Sequence, residues 1–200
     1  MDRKPTQEES AGVRRYRVIN AALKVCKEHG YDQLTLGAIC AASEVPAEEV
    51  SQWWPSVSAL VIDAFRTELG SKLSYDFTGD FAADLRAQLV ATARLFADAD
   101  FAPHLAALVA DAQRDADVAA NFIRRVYNPN RAAALARFEE ARAAGQLRSD
   151  VDPAIAVDLA FAPLWFRLLL GTGDITADYA EEVARLALAG LGAKAESRPE

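Results

Sequence analysis

Two histidines and two cysteines are all that this 200-residue chain offers for metal or nucleophilic chemistry. A zinc site needs about four ligands, and near Cys26 and Cys40 only His29 stands close, with His104 far along the chain. Each cysteine falls within an apolar helical pattern, the setting of a buried free thiol. A redox switch between them would require their helices to pack together. No glycine-rich phosphate loop is present, and with only two histidines, far apart in sequence, a serine or cysteine nucleophile would gain a histidine base only by accident of folding. Neither catalysis nor a metal nor a cofactor is expected. The chemistry that remains is recognition. Ser51, Gln52 and Trp53 place a hydroxyl, an amide and an indole in a row, just after the acidic pair Glu48 and Glu49. Upstream, Arg14, Arg15, Arg17 and Lys24 join Arg3 and Lys4 to make residues 1–30 locally basic, with seven Lys/Arg against four Asp/Glu.

The elements that position these groups follow from periodicity and punctuation. Val13 to Glu28 reads as a helix with the apolar stripe Ile19, Ala22, Leu23 and Cys26, closed by Gly30. A short helix from about Leu36 to Ala42 follows, with Thr35 as its N-cap. Ser43-Glu44-Val45 then turns the chain into a helix that starts at Pro46, a favoured first position, with Glu48 and Glu49 complementing its dipole. Two short helices joined by a turn of this length make a helix-turn-helix, whose second helix enters the DNA major groove. Pro55-Ser56 ends that helix and caps a fourth, Val57 to about Leu69, ending near Gly70. Residues 70–79 read as a linker. Helices are then expected over about 80–98, 103–113, 117–144, 153–170 and 177–190, with Asn128-Pro129-Asn130 marking a kink or break in the third of these.

Composition agrees with an all-α protein. Hydrophobic residues make up 52% of the chain, much of it alanine, and runs of Val, Ile and Thr at period two are nearly absent. The net charge of −7 excludes a general nucleic-acid coater, so any DNA contact must be local. The first residues are polar and charged, unlike a signal peptide. No run approaches the eighteen or so uninterrupted apolar residues of a membrane span, since Asp158, Pro163 and Arg167 break the densest stretch. A cytoplasmic protein with no membrane partner is expected. One feature opposes the DNA reading: from Glu28 through Phe65 there is no Lys or Arg, while six Asp or Glu residues occur.

The head motif Glu28-His29-Gly30-Tyr31, then Thr35, Ile39, Val45, Trp53-Trp54-Pro55-Ser56 and Ala59-Leu60, resembles the TetR family of bacterial transcriptional regulators. The body resembles one group of TetR C-terminal domains. It carries Thr78-Gly79-Asp80, Ala112-Gln113-Arg114-Asp115, Ala144-Gly145-Gln146-Leu147-Arg148 and Pro163-Leu164-Trp165-Phe166-Arg167-Leu168-Leu169. The resemblance implies a flexible arm over residues 1–12, a helix-turn-helix domain over 13–56 with the motif at about 35–54, and a ligand-binding and dimerisation domain over 57–200. The implied protein is a homodimeric repressor on a palindromic operator, released when a small hydrophobic or aromatic ligand shifts the fourth helix.

By that resemblance Thr35 touches a phosphate, and Pro46, Ala47, Glu49, Ser51, Gln52 and Trp53 fall where members meet bases or backbone. Gln52 can pair bidentately with adenine, and Ala47 or Pro46 can meet a thymine methyl. Arg14 and its neighbours supply phosphate neutralisation, the main source of affinity. Three positions depart from the family pattern: Ser51 stands for the usual Tyr, Val57 for a Lys, and Glu44 for a small Gly that often needs a left-handed backbone. These departures, with the acidic interval, leave a second reading: a TetR-like ligand- or protein-binding dimer whose head no longer binds DNA. Trp54 is expected in the core and Trp53 facing DNA.

An aromatic stripe at helical spacing is by itself core; with the resemblance, a pocket between the fifth and eighth helices is expected. Its candidate walls are Phe96, His104, Phe122, Tyr127, Trp165 and Phe166, with His104 and Gln113 as candidate polar groups. The helix from Pro153 is apolar nearly all round, so a second copy is its natural cover. Leu164, Leu168, Val183, Leu186, Ala187 and Gly190 are the candidate dimer residues. Arg167 inside that stripe needs a carboxylate or carbonyl partner, which a second subunit could supply.

Overall fold

A computed structural model describes residues 10–72 and 77–192, so the expected arm lies outside it apart from its last three residues. Among the described residues the regular structure is helical: α1 Ala11–His29, α2 Leu36–Ser43, α3 Ala47–Trp53, α4 Val57–Lys72, α5 Phe81–Phe96, α6 Ala102–Ala112, α7 Ala116–Phe122, α8 Asn128–Ala143, α9 Pro153–Leu170 and α10 Ala177–Leu191. A five-residue π-helical turn, Ile123–Tyr127, joins α7 to α8.

Buried side chains form two clusters. The smaller gathers Val18, Ala21, Ala22, Ile39, Val45, Val50, Trp54, Ala59, Leu60 and Ala64 around the first four helices. The larger runs from Cys26 and the inner face of α4 through α5–α10. Helix α4 belongs to both, with Leu60 and Ala64 in one and Val61, Ile62 and Phe65 in the other.

Capping sets the starts of several helices. Ser10 accepts from the Val13 amide, so α1 begins two residues earlier than its apolar pattern indicated. Its buried stripe is Val18, Ala21, Ala22, Val25 and Cys26, with Ile19 and Leu23 only half-buried, because the stripe must face α2 and α4 at once. Thr35 caps α2 through the Ala38 amide at 3.1 Å. Pro46 is the N-cap of α3 rather than its first residue (φ −59°, ψ 144°), which leaves α3 seven residues long. Glu44 adopts the left-handed conformation (φ 55°) between α2 and α3, the role its family position assigns to glycine. At the other end of α4, Gly70 does not stop the helix, which continues to Lys72. Of the expected linker, residues 77–79 lie outside any helix, and residues 73–76 lie outside the described residues.

The body's motifs turn out to be ties between distant segments. Asp80 caps α5 through the Ala83 amide. Gln146 accepts from the Phe81 amide at 2.7 Å and donates to the Gly79 carbonyl at 2.8 Å, so the 78–80 and 144–148 motifs close on one another. Thr78 donates to Asp84, and Arg137 of α8 meets the same carboxylate at 2.7 Å in a buried ion pair. Burial works to raise the Asp84 pKa, and the Thr78 and Arg137 hydrogen bonds outweigh it and hold the group below its usual range. Arg167 finds its partners within the chain: it donates to the Asp174 carbonyl and lies 3.4 Å from the Tyr179 ring centroid.

The expected single helix over 117–144 is interrupted. Pro129 has no N–H to donate back along the chain, and the ladder widens to π geometry in the residues just before it. Asn130 donates to the Val126 carbonyl at 2.7 Å within the widened turn. Helix α9 also differs from its reading as a broken apolar run. It forms eighteen continuous residues with Pro163 inside and is long and apolar enough by composition to cross a membrane. Its inner residues Ala156, Val157, Ala160 and Leu164 pack into the core, and Arg131 pairs with its Asp158.

Candidate nucleic-acid interface and an internal cavity

Helix α3 is held by one buried side chain, Val50, and by Trp54 directly after it. That anchorage turns the opposite side outward, leaving Pro46, Ala47, Glu48, Ser51 and Gln52 exposed and Trp53 half-buried. Thr35 is exposed at the start of α2. Seven of the eight residues singled out for DNA contact thus lie on α2, α3 and their caps; Arg14 comes from α1 and meets Glu49 of α3 at 2.7 Å. The carboxylate that appeared to oppose DNA is neutralised by a cation 35 residues away in sequence. Arg15 lies 5.1 Å from the Trp53 ring centroid, so a second α1 cation also sits against the recognition helix. Sequence reasoning placed these arginines on flanking phosphates and missed their pairing with α3, because no local spacing encodes a contact between helices.

Trp54 is buried, and its indole N–H donates to Asp63 Oδ2 of α4 at 2.8 Å. The other oxygen of Asp63 accepts from Arg125 at 2.8 Å. Arg125 belongs to the π-helical turn, so three residues from three segments tie the end of α3 to the larger cluster. Tyr31 adds a second tie through a hydrogen bond to Asp111 of α6; burial first, then that carboxylate, push its phenol up.

The larger cluster borders a half-open cavity of about 380 Å³ between α4–α6, the π turn, α8 and α9. Phe96, Phe122, Tyr127 and Trp165 are among its walls, and the Phe96 and Trp165 rings meet edge to face at 4.9 Å. Two expected wall residues lie elsewhere. His104 is buried on the far side of α6 in a smaller cleft with Lys27, Glu68 and Asp100, and burial, partly offset by Asp100, holds its pKa below the ordinary value. Phe166 is 56% exposed, pointing away from the core on α9, and Gln113 is exposed at the end of α6. The walls that sequence reading overlooked include Gln88 and Thr92, which continue from buried Asp84 a polar i, i+4, i+8 row on the mostly apolar inner face of α5. That break in the apolar stripe was the available signal.

The exterior of α9 and α10 carries most of the large exposed apolar side chains. Ile155, Leu159, Phe166 and Leu170 line one face of α9, with Leu169 beside them and Leu186 on α10. Of the expected dimer residues, Leu186 and Gly190 are exposed and Leu168 and Val183 half-buried, while Leu164 and Ala187 are buried inside their own protomer. The inward turn of Leu164 reflects the near-uniform apolarity of α9, and that of Ala187 the apolar run 186–191 that ends α10, where a pattern reading does not say which side turns inward.

The body matches the family described as tetracyclin repressor-like, C-terminal domain, over residues 76–187. The chain belongs to the TetR family of transcriptional regulators. It is similar to the TetR-family regulator SCO0332, whose crystal structure superposes with a TM-score of 0.79 at 30% identity, over 88% of this chain and 97% of that one. The HTH-type transcriptional regulator YdeS of Bacillus subtilis is 24% identical over 176 residues, 88% of each chain. GusR of Salmonella enterica, 22% identical, shares the fold with a TM-score of 0.70 over 92% of this chain and 96% of its own. This TetR regulator is therefore an all-α helix-turn-helix protein of the DNA-binding, ligand-binding kind. Burial pushes its Cys26 thiol up to about 12 and, with Glu48 nearby, also raises that of Cys40.

Proposed function

We propose that this regulator is a cytoplasmic repressor, a homodimer that sets its two α3 helices in successive major grooves of a palindromic operator. It lets go when a small, largely apolar or aromatic ligand fills the cavity. Residues 13–56 serve as the DNA-binding head and 57–200 as the ligand-binding and dimerisation body. Gln52 and Ser51 meet base edges, Ala47 and Pro46 meet a thymine methyl, and Thr35 and Trp53 meet the backbone. Arg14 holds Glu49 in place, so that the carboxylate can accept from a cytosine amine rather than repel phosphates. The apolar exterior of α9 and α10, from Leu159 and Phe166 to Leu168, Val183, Leu186 and Gly190, lies against the second copy.

The observation that carries the reading is the chain Arg125–Asp63–Trp54. Val126 and Tyr127, neighbours of Arg125 in the π turn, are walls of the cavity. A ligand that moves this turn pulls on Asp63, and with it α4 and the indole that anchors the end of α3. Recognition helices must stand roughly 34–36 Å apart to dock together. A small shift in each head therefore defeats both contacts at once.

The test is a mobility shift with DNA from upstream of the protein's own gene, titrated across salt. Tight binding that weakens steeply with salt supports the repressor. No binding at any salt favours the alternative, a ligand- or protein-binding dimer. The release step has a ligand-free test. Ala134→Phe, which fills the cavity from its wall, is expected to lower operator affinity about tenfold. Adding Asp63→Asn should restore most of it; an Ala134→Phe protein that binds as well as wild type overturns the release step.

A further inference from the structure

We infer that the cavity takes an uncharged, mainly apolar ligand bearing one hydrogen-bond acceptor, such as a ketone, ester or ether oxygen, received by the Gln88 amide. The inference rests on the reading of the cavity as the effector site and names the chemistry of what enters it. Most of the wall's polar groups are already engaged. Thr92 Oγ1 donates to the Gln88 carbonyl at 2.9 Å, and Asn130 donates to the Val126 carbonyl. Arg131 pairs with Asp158 at 3.2 Å, also reaches the Ala154 carbonyl, and bonds Tyr127. Gln88 is the exception. Its residue is 6% exposed, it lines the cavity, and its Nε2 has no acceptor. A buried N–H without a partner is costly to keep. The terminal torsion of glutamine is soft, so a small rotation turns that N–H onto an oxygen in the cavity.

Charge narrows the class. Arg131 and Asp158 cancel each other at the wall, so the cavity offers no net charge to an ion. A carboxylate would have to displace Asp158, and an amine would have to displace Arg131. The aromatic walls Phe96, Phe122, Phe161 and Trp165 favour a ringed or flat body. The volume of about 380 Å³ lies at the small end of ligand pockets, which suits one or two rings rather than a long chain.

The experiment compares benzophenone with diphenylmethane, two molecules of like size that differ by one carbonyl, by calorimetric titration of the full-length protein. Benzophenone is expected to bind at least tenfold more tightly, and Gln88→Met to bring the two within twofold while leaving diphenylmethane unchanged. Gln88→Met removes an unpaired donor from the interior, so it is expected to melt no lower than wild type. Equal affinities in the wild type overturn the inference. So does a preference that survives Gln88→Met, tighter binding of 4-benzoylbenzoate than of benzophenone, or no binding of any of the three. A mobility shift run beside the titration separates the two readings. Operator binding without ketone preference removes the ligand class alone, and ketone preference without operator binding removes the repressor alone.

Discussion

Two outward faces of this protein await a partner, and they are built in opposite ways. The outer side of α3 is polar, and its one half-buried carboxylate is already matched by Arg14. That face is stable in water with nothing bound. The outer side of α9 is a row of large apolar side chains, Ile155 66%, Leu159 53%, Phe166 56% and Leu170 63% exposed, with no polar group among those four. Leaving such a row in water forfeits roughly 1.5–3 kcal/mol for each side chain that could be covered. The contrast teaches that the α3 face loses nothing by standing alone in water, whereas the α9 face gains stability from cover, which the proposed homodimer would supply.

The largest expected effect attacks the apolar face. Leu159→Glu with Phe166→Glu should weaken the dimer at least about hundredfold, on the order of 3 kcal/mol or more, read by sedimentation equilibrium. A double variant that stays dimeric at the wild-type concentration would place the interface elsewhere. On the polar face the next effect is Arg14→Ala, which strips Glu49 of its counter-charge. Operator affinity should fall about tenfold with little change in its log–log salt slope, since Arg14 is engaged by Glu49 rather than by a phosphate, while sedimentation stays unchanged. Glu49→Gln goes the other way, removing a negative charge from the outward side of α3. A gain of a few-fold in affinity is expected, on the order of 0.5–1 kcal/mol, in the same mobility shift.

The smallest effect belongs to neither face and serves as their control. Burial holds the His104 pKa below its ordinary value of 6.5. The folded state then takes up its proton later than the unfolded state, so stability is present above that ordinary value and is lost as the pH falls through it. Melting from pH 7.5 to 5.5 should show a loss of about 1–2 °C that His104→Gln removes. The oligomeric state and operator contacts should not follow it.

How much of this was legible follows from where the contacts are made. The head's helices were readable because their signals are local: the Thr35 cap, the left-handed turn at Glu44 and the stop at Pro55 all act within a few residues. So was the burial of Trp54, whereas Trp53, expected to face DNA, is half-buried against the head core. Four of six aromatic or histidine choices reached the cavity, because bulky apolar residues on facing helices must meet somewhere. What was not legible spans the chain. Arg14 to Glu49, Asp63 to Arg125 and Asp84 to Arg137 join residues 35, 62 and 53 positions apart. No periodicity encodes such pairs. His104 and Phe166 were misplaced for a related reason: an amphipathic pattern locates a face on a helix, but on a helix apolar on several sides it does not say which face turns inward.

The π turn at Ile123–Tyr127 has one more implication, for how this chain can change over evolution. A residue added to an α-helix advances everything beyond it by about 100°. The wide turn absorbs one such residue, so the phase of α8 relative to α7 is that of an α-helix one residue shorter. Removing a single residue from it would therefore be taken up by tightening the turn, with Asn130, Arg131 and Ala134 still on the cavity and Arg137 still beside Asp84. Point substitutions can reshape the cavity wall one side chain at a time. A one-codon deletion farther along α8, between Ala134 and Arg137, would instead rotate Arg137 away from Asp84 in a single step.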